Sequence, residues 1–148
     1  MKEQNRLRLG RLTARYADRI EAKQTSDESS FLREFEEVRD RVLRPAMEEI
    51  ATELRAAGHK PEILLDKGPE TPSIELALGL HKGPGKRNVV GFCVIRWSNY
   101  PLQILAYLEV NPPKFDLERF ANAAELNENH VEQMVVDAVE HIISCNAP

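Results

Sequence analysis

Between Asn88 and Val110 the chain reads NVVGFCVIRWSNYPLQILAYLEV, two apolar runs joined at Ser98-Asn99-Tyr100-Pro101. Val89, Val90, Phe92, Val94, Ile95, Trp97, Ile104 and Tyr107 are β-branched or aromatic, the types that suit a pleated surface. In the second run Leu102, Ile104, Ala106, Leu108 and Val110 recur at spacing two, which sends them all to one face. The first run is apolar on both sides, Val90, Phe92 and Val94 alternating with Val89, Gly91, Cys93, Ile95 and Trp97. This is the pattern of a central antiparallel hairpin, and the rest of the chain is read as material to extend and cover it.

Two further strands precede the hairpin. Glu62–Asp66 is short, whereas Ser73–His81 alternates cleanly, with Ile74, Leu76, Leu78 and Leu80 on one face. The loops around them, DKGPETP and KGPGKR, carry turn residues, and connections this short join antiparallel neighbours. A four-stranded meander follows. Pro112-Pro113 ends its last strand, and Phe115, Leu117 and Phe120 are expected to tuck against an edge of the core.

Helical periodicity supplies the cover. Phe31, Phe35, Val38, Val42, Met47, Ile50 and Leu54 form the buried stripe of one long helix over 31–57, with Ser29 or Ser30 as its N-cap in the polar break TSDESS. Pro45 predicts a kink near Arg41 to Arg44, because a proline deletes one backbone hydrogen bond and clashes with the preceding turn. Gly58 reads as the C-terminal cap. A final helix starts at Asn127 or Asn129 and turns Val131, Met134, Val135, Ala138, Val139 and Ile142 inward as far as about Ser144.

Residues 2–23 are also periodic, with Leu9, Leu12, Tyr16 and Ile20 in a narrow apolar stripe and Arg8, Arg11, Arg15 and Arg19 in a second stripe beside it. Within residues 1–23, seven Lys and Arg stand against three Asp and Glu, a net of +4, which leaves −8 for the remainder of a chain whose total is −4. Such an arm suits nucleic acid or another anionic surface, or equally the acidic helices of its own fold or of a second copy.

The resulting class is α+β: a four-stranded antiparallel meander covered on one face by the long kinked helix and the C-terminal helix, with an additional N-terminal helix. Residues 1–24 form a basic amphipathic segment and 25–148 a single domain. The 148 residues suffice for one core without staples, and 42 % hydrophobic with 30 % charged content is ordinary for a globular chain. No apolar run approaches the length of a membrane span, and the chain does not start with the apolar stretch of a secretory leader, so a cytoplasmic protein away from membranes is expected. Cys93 and Cys145 have no metal or redox spacing and read as reduced thiols.

Chemistry is sparse. His59, His81, His130 and His141 are scattered, although Asp137 and His141 stand four apart on the last helix and can pair. No metal-ligand spacing occurs, Ser144 and Cys145 have no neighbouring base, and neither a cofactor nor a catalytic residue is assigned. Lys82, Lys86 and Arg87, in a glycine-rich loop without the spacing of a phosphate loop, are candidate anion contacts.

The face opposite the leucine-rich one mixes small and large apolar residues. Cys93, Ile95, Trp97, Leu105 and Tyr107 on it, with Arg8, Arg11, Arg15 and Arg19, are the candidate partner-binding residues, unless the N-terminal helix folds across that face within one chain. The leading expectation is a non-enzymatic interaction module, an adaptor or chaperone-like protein that forms a homodimer or binds a peptide or protein partner. A nucleic-acid- or anion-binding accessory protein using the arginine stripe is one alternative. A small-molecule-binding domain or enzyme with a helix–sheet pocket near Trp97, Tyr100 and Tyr107 is the other.

Overall fold

The computed structural model describes residues 1–80, 87–97, 100–110 and 114–147, the side chains of 24–26 excepted. Its first element is a single helix, α1, from Glu3 to Val38. The polar TSDESS segment does not interrupt it. Between Arg11 and Arg44 there is neither glycine nor proline, and Ser, Thr and Asp each cost only about 0.5 kcal/mol in a helix. Ending the helix there would instead leave several backbone groups without partners. Ser29 and Ser30 are therefore interior residues and not caps.

Pro45 acts as anticipated in kind but not in detail. The chain passes from α1 through a π-helical turn, Arg39–Leu43, into α2, Arg44–Ala56, without a break. The Arg44 amide reaches back to the Arg39 carbonyl, five residues away. Widening the turn just before the proline makes room for a ring that cannot accept an ordinary α-helical neighbour, a common cause of such turns. At the other end α2 closes as expected: the Gly58 amide donates to the Arg55 carbonyl and the His59 amide to that of Leu54, each at 3.0 Å. Gly58 holds φ +94°, a conformation other residues rarely adopt.

The sheet has five strands and not four. In order across the sheet they are β1 (Glu62–Asp66), β2 (Ser73–Ala77), β3 (Asn88–Ile95), β4 (Gln103–Val110) and β5 (Lys114–Phe120), all antiparallel. The added strand is the KFDLERF segment expected to pack loosely at the core edge. Its charged, short sequence is that of a protected edge, and a register shift opposite Ala106 and Tyr107 further unfits it for pairing outward. A 3₁₀ turn, Ala123–Glu125, leads into α3, Glu128–Asn146, where the Asn127 carboxamide oxygen accepts the His130 amide at 2.9 Å.

Register follows the alternation in the sequence. Phe92 lies between Ile74 and Ala106, and Val90 between Leu76 and Leu108. With Leu78, Leu102 and Ile104, these side chains are buried. The end of α1 contributes Phe35 and Val38 to the same core, α2 Met47, Ala51 and Leu54, and α3 Val131, Val135, Ala138 and Ile142. Of the helices, α2 lies over β1 and β2, and α3 over β3 and β4. Among the described residues, the helical cover sits on this one face.

Candidate interaction surfaces

The arm of α1 stands away from the domain. Every described side chain from Glu3 to Ser29 is exposed, and at 1.5 Å per residue this stretch is roughly 40 Å long. Leu9, Leu12, Tyr16 and Ile20 are 42–68 % exposed. At 100° per residue these four fall within a sector of roughly 80°, and Arg8, Arg11, Arg15 and Arg19 occupy a sector of the same width beside it. The arm's base is held by Glu28, whose carboxylate meets Arg96 at 3.0 Å, while Arg96 also donates to the Glu70 carbonyl at 2.8 Å. The arm does not fold back over the reverse of the sheet.

That reverse face is half apolar and half ionic. One row across it runs Ser73, Cys93, Leu105 and Arg119, and the next runs Glu75, Gly91, Tyr107 and Asp116. In the second row the Tyr107 ring lies across Gly91, so close that a Cβ there would stand 2.7 Å from the ring's Cζ and Oη and 3.0 Å from Glu75 Cγ. Lys114 Nζ caps the ring at 4.5 Å. Tyr107 is consequently only 5 % exposed, covered by its own strand neighbours. That burial, followed by its hydrogen bond to the Glu75 carboxylate, pushes its phenol far above the ordinary tyrosine value.

Arg87 spans the same face, with Nη2 2.9 Å from Glu75 and Nη1 3.2 Å from Glu109. Its charge is thus matched by two carboxylates of the sheet. Lys82 and Lys86, the other proposed anion contacts, lie outside the described residues, as does His81. Cys93, Ile95 and Leu105 are half-buried, and burial raises the Cys93 thiol. Trp97 remains open at the end of β3, edge-on to Tyr100 at 6.3 Å and with Arg119 over its ring at 4.8 Å. Of the five sheet residues singled out from the sequence, Tyr107 alone is sealed; Trp97 is the most open.

Two grooves run beside α3, neither near Trp97 or Tyr107. The larger, of about 590 Å³, lies between α3 and β5, floored by Leu108, Phe115, Leu117 and Met134 and edged by His130, Asp137 and His141. His130 Nε2 meets Glu118 at 2.6 Å, Asp137 takes a hydrogen bond from Gln133 at 2.7 Å, and His141 Nε2 lies 3.5 Å from Cys145 Sγ. The Asp137–His141 pair allowed by their spacing is therefore replaced by two separate contacts along the same helix. The smaller groove, of about 270 Å³, lies between α2 and α3, where Ile50, Leu54, Val136 and Val139 are rimmed by Glu49, Glu53 and Glu132. Sequence reasoning missed it because its two walls are more than seventy residues apart.

Among the described residues no three His, Cys, Asp or Glu side chains gather as a metal-holding group, and no helix is long and apolar enough to cross a membrane. Arg39, in the π turn, is 5 % exposed, with Nε on Asp40 at 3.1 Å and Nη1 without a hydrogen-bond partner. No family model, curated protein or solved structure matches the chain. Geometry and charge alone carry the functional argument.

Proposed function

We propose that the protein is a non-enzymatic interaction module whose N-terminal helix is a docking arm, and that a second copy of the chain is what it docks on. The observation that supports this is the arm itself, with Leu9, Leu12, Tyr16 and Ile20 in line and exposed along a helix whose described side chains are all exposed from Glu3 to Ser29. Helices draw most of their stability from burying an apolar face, and between Glu3 and Ser29 no described side chain of this one is buried within its own chain. Burying four side chains of this size is worth on the order of 6–12 kcal/mol, against an association cost of about 4–15 kcal/mol. One arm docking alone is therefore marginal, whereas two arms exchanged between identical copies double the gain for a single association. The arginine stripe then sets specificity and encounter rate more than affinity.

Sedimentation of the full chain tests the proposal. A dimer is expected at ~10 μM, with Leu12→Asp plus Tyr16→Asp giving a folded monomer at the same concentration. A wild-type chain that stays monomeric up to ~100 μM overturns self-association.

One observation favours a second reading, the binding of a small apolar ligand: the groove between α3 and β5 has the volume of a small-molecule site and an apolar floor. Saturable binding of an apolar fluorescent probe, abolished by Met134→Glu, would support it over the arm.

A further inference from the structure

We infer that the seat of the arm is the acidic groove between α2 and α3 of a second copy, with the two long helices running antiparallel about a twofold axis. This inference rests on the proposed self-association and names its interface.

Charge selects the groove. Glu49 and Glu53 of α2 and Glu132 of α3 stand around a floor of Ile50, Leu54, Val136 and Val139, with no basic side chain in its lining. Val136 is 41 % exposed there, an apolar surface left open between two packed helices. The arm presents the complement, an apolar row with guanidinium groups alongside. The other open surfaces lack this match. On the reverse of the sheet Glu75, Glu109 and Asp116 are balanced by Arg87, Lys114 and Arg119. The α3–β5 groove is edged by two histidines and one aspartate. A pairing of arm with arm would set two segments of net +4 against each other.

The covalent path makes the contact intermolecular. From Ile20 to Glu49 the chain is one uninterrupted helical run through the π turn, which separates the two residues by roughly 44 Å along the axis. No arm can reach the groove of its own chain while that helix is intact. In a second copy the contact can close on itself only if it is reciprocal. Aligning the centre of the Leu9–Ile20 row with the centre of Glu49–Leu54 in an antiparallel pair brings together residues whose numbers sum to about 66. Tyr16 then meets Ile50 and Leu12 meets Leu54. In the same register Arg19 faces Glu49, Arg11 faces Glu53, and Arg15 lies between the two carboxylates. The apolar and ionic matches share one register. A parallel arrangement would be staggered and would propagate into a filament.

The test is a charge exchange followed by sedimentation. Glu49→Arg with Glu53→Arg is expected to weaken the dimer at least ~10-fold, the effect of several ion pairs turned to repulsion at two symmetric interfaces. Adding Arg15→Glu and Arg19→Glu to the same chain restores it. Asp137→Lys, in the other groove, leaves association unchanged. A dimer that survives Glu49→Arg plus Glu53→Arg but is dissolved by Leu12→Asp plus Tyr16→Asp overturns this seat and leaves self-association standing. A monomeric wild-type chain overturns both. Circular dichroism of each variant confirms that the exposed substitutions leave the fold intact, and a variant that unfolds is replaced by Glu49→Gln plus Glu53→Gln, for which a smaller loss in the same direction is required.

Discussion

Gly91→Ala is the substitution whose outcome the reverse face determines most sharply. Glycine in a strand normally weakens it, so alanine there would ordinarily gain about 0.5–1 kcal/mol. Here the new methyl would stand 2.7 Å from Tyr107 Cζ and Oη, and the ring must lift off the sheet. Over-packing of this kind costs about 1–3 kcal/mol, and lifting the ring endangers a hydrogen bond to a charged group worth about 1.5–3 kcal/mol. After the glycine term is subtracted, a net loss of about 1.5–5.5 kcal/mol is expected, the upper end if the hydrogen bond is lost entirely. For a chain of this length that is a fall in melting temperature of roughly 3–22 °C. The discriminating experiment repeats the change in a Tyr107→Val background, where the strand keeps a β-branched residue and the close neighbour left to the new methyl is the flexible Glu75 side chain, whose Cγ at 3.0 Å can give way. There the sign should reverse, with Gly91→Ala raising the melting temperature by roughly 1–4 °C. Calorimetry or circular dichroism on the four proteins of the cycle gives the coupling directly. An equal loss in both backgrounds would refute the account of Tyr107 as a lid on Gly91.

The same tyrosine makes a pH prediction. Its phenol is raised in the folded state by burial and by Glu75, while in the unfolded chain it titrates near pH 10. Its contribution to stability is therefore fully present below about pH 10 and is lost as pH rises above it, because only the unfolded form then ionises. Absorbance titration should show a tyrosine ionising well above pH 10 that is missing from Tyr107→Phe, and that substitution should flatten the alkaline loss; an unchanged slope would exclude Tyr107 as the cause. Arg39→Met should keep the packed stem while removing a buried charge whose Nη1 has no partner. Its unfolding free energy from urea titration is expected to be equal to wild type or higher by up to about 2 kcal/mol, and a clear drop would mean that Nη1 is satisfied after all.

The residues that pair across the sheet were legible because their information is local. Ile74, Leu76, Ile104 and Leu108 repeat at spacing two, and a slip of one residue would turn the whole row to water, so the alternation fixes which face is buried. Gly58 and Asn127 announced helix ends for an equally local reason, one by its access to positive φ and the other by a side chain that mimics a backbone acceptor. The fifth strand carried no such mark. Lys114–Phe120 alternates weakly and is highly charged, and it becomes a strand only because β4 offers it partners. The TSDESS break misled because cap residues signal a helix start only where the chain is free to leave the helix, and the surrounding residues kept it helical through that segment.

Sequence alone determined that residues 9–20 would carry an apolar row with arginines beside it, since a helical period brings those side chains together whatever lies outside. It could not determine whether that row would be covered. That outcome depends on the direction in which α1 leaves the π turn before Pro45, a difference of one backbone hydrogen bond that swings a roughly 40 Å lever. The acidic rim of Glu49, Glu53 and Glu132 was likewise undetermined until α2 and α3 were packed side by side. Periodicity is a property of neighbours along the chain; coverage and charge matching belong to surfaces that exist only after distant segments have met.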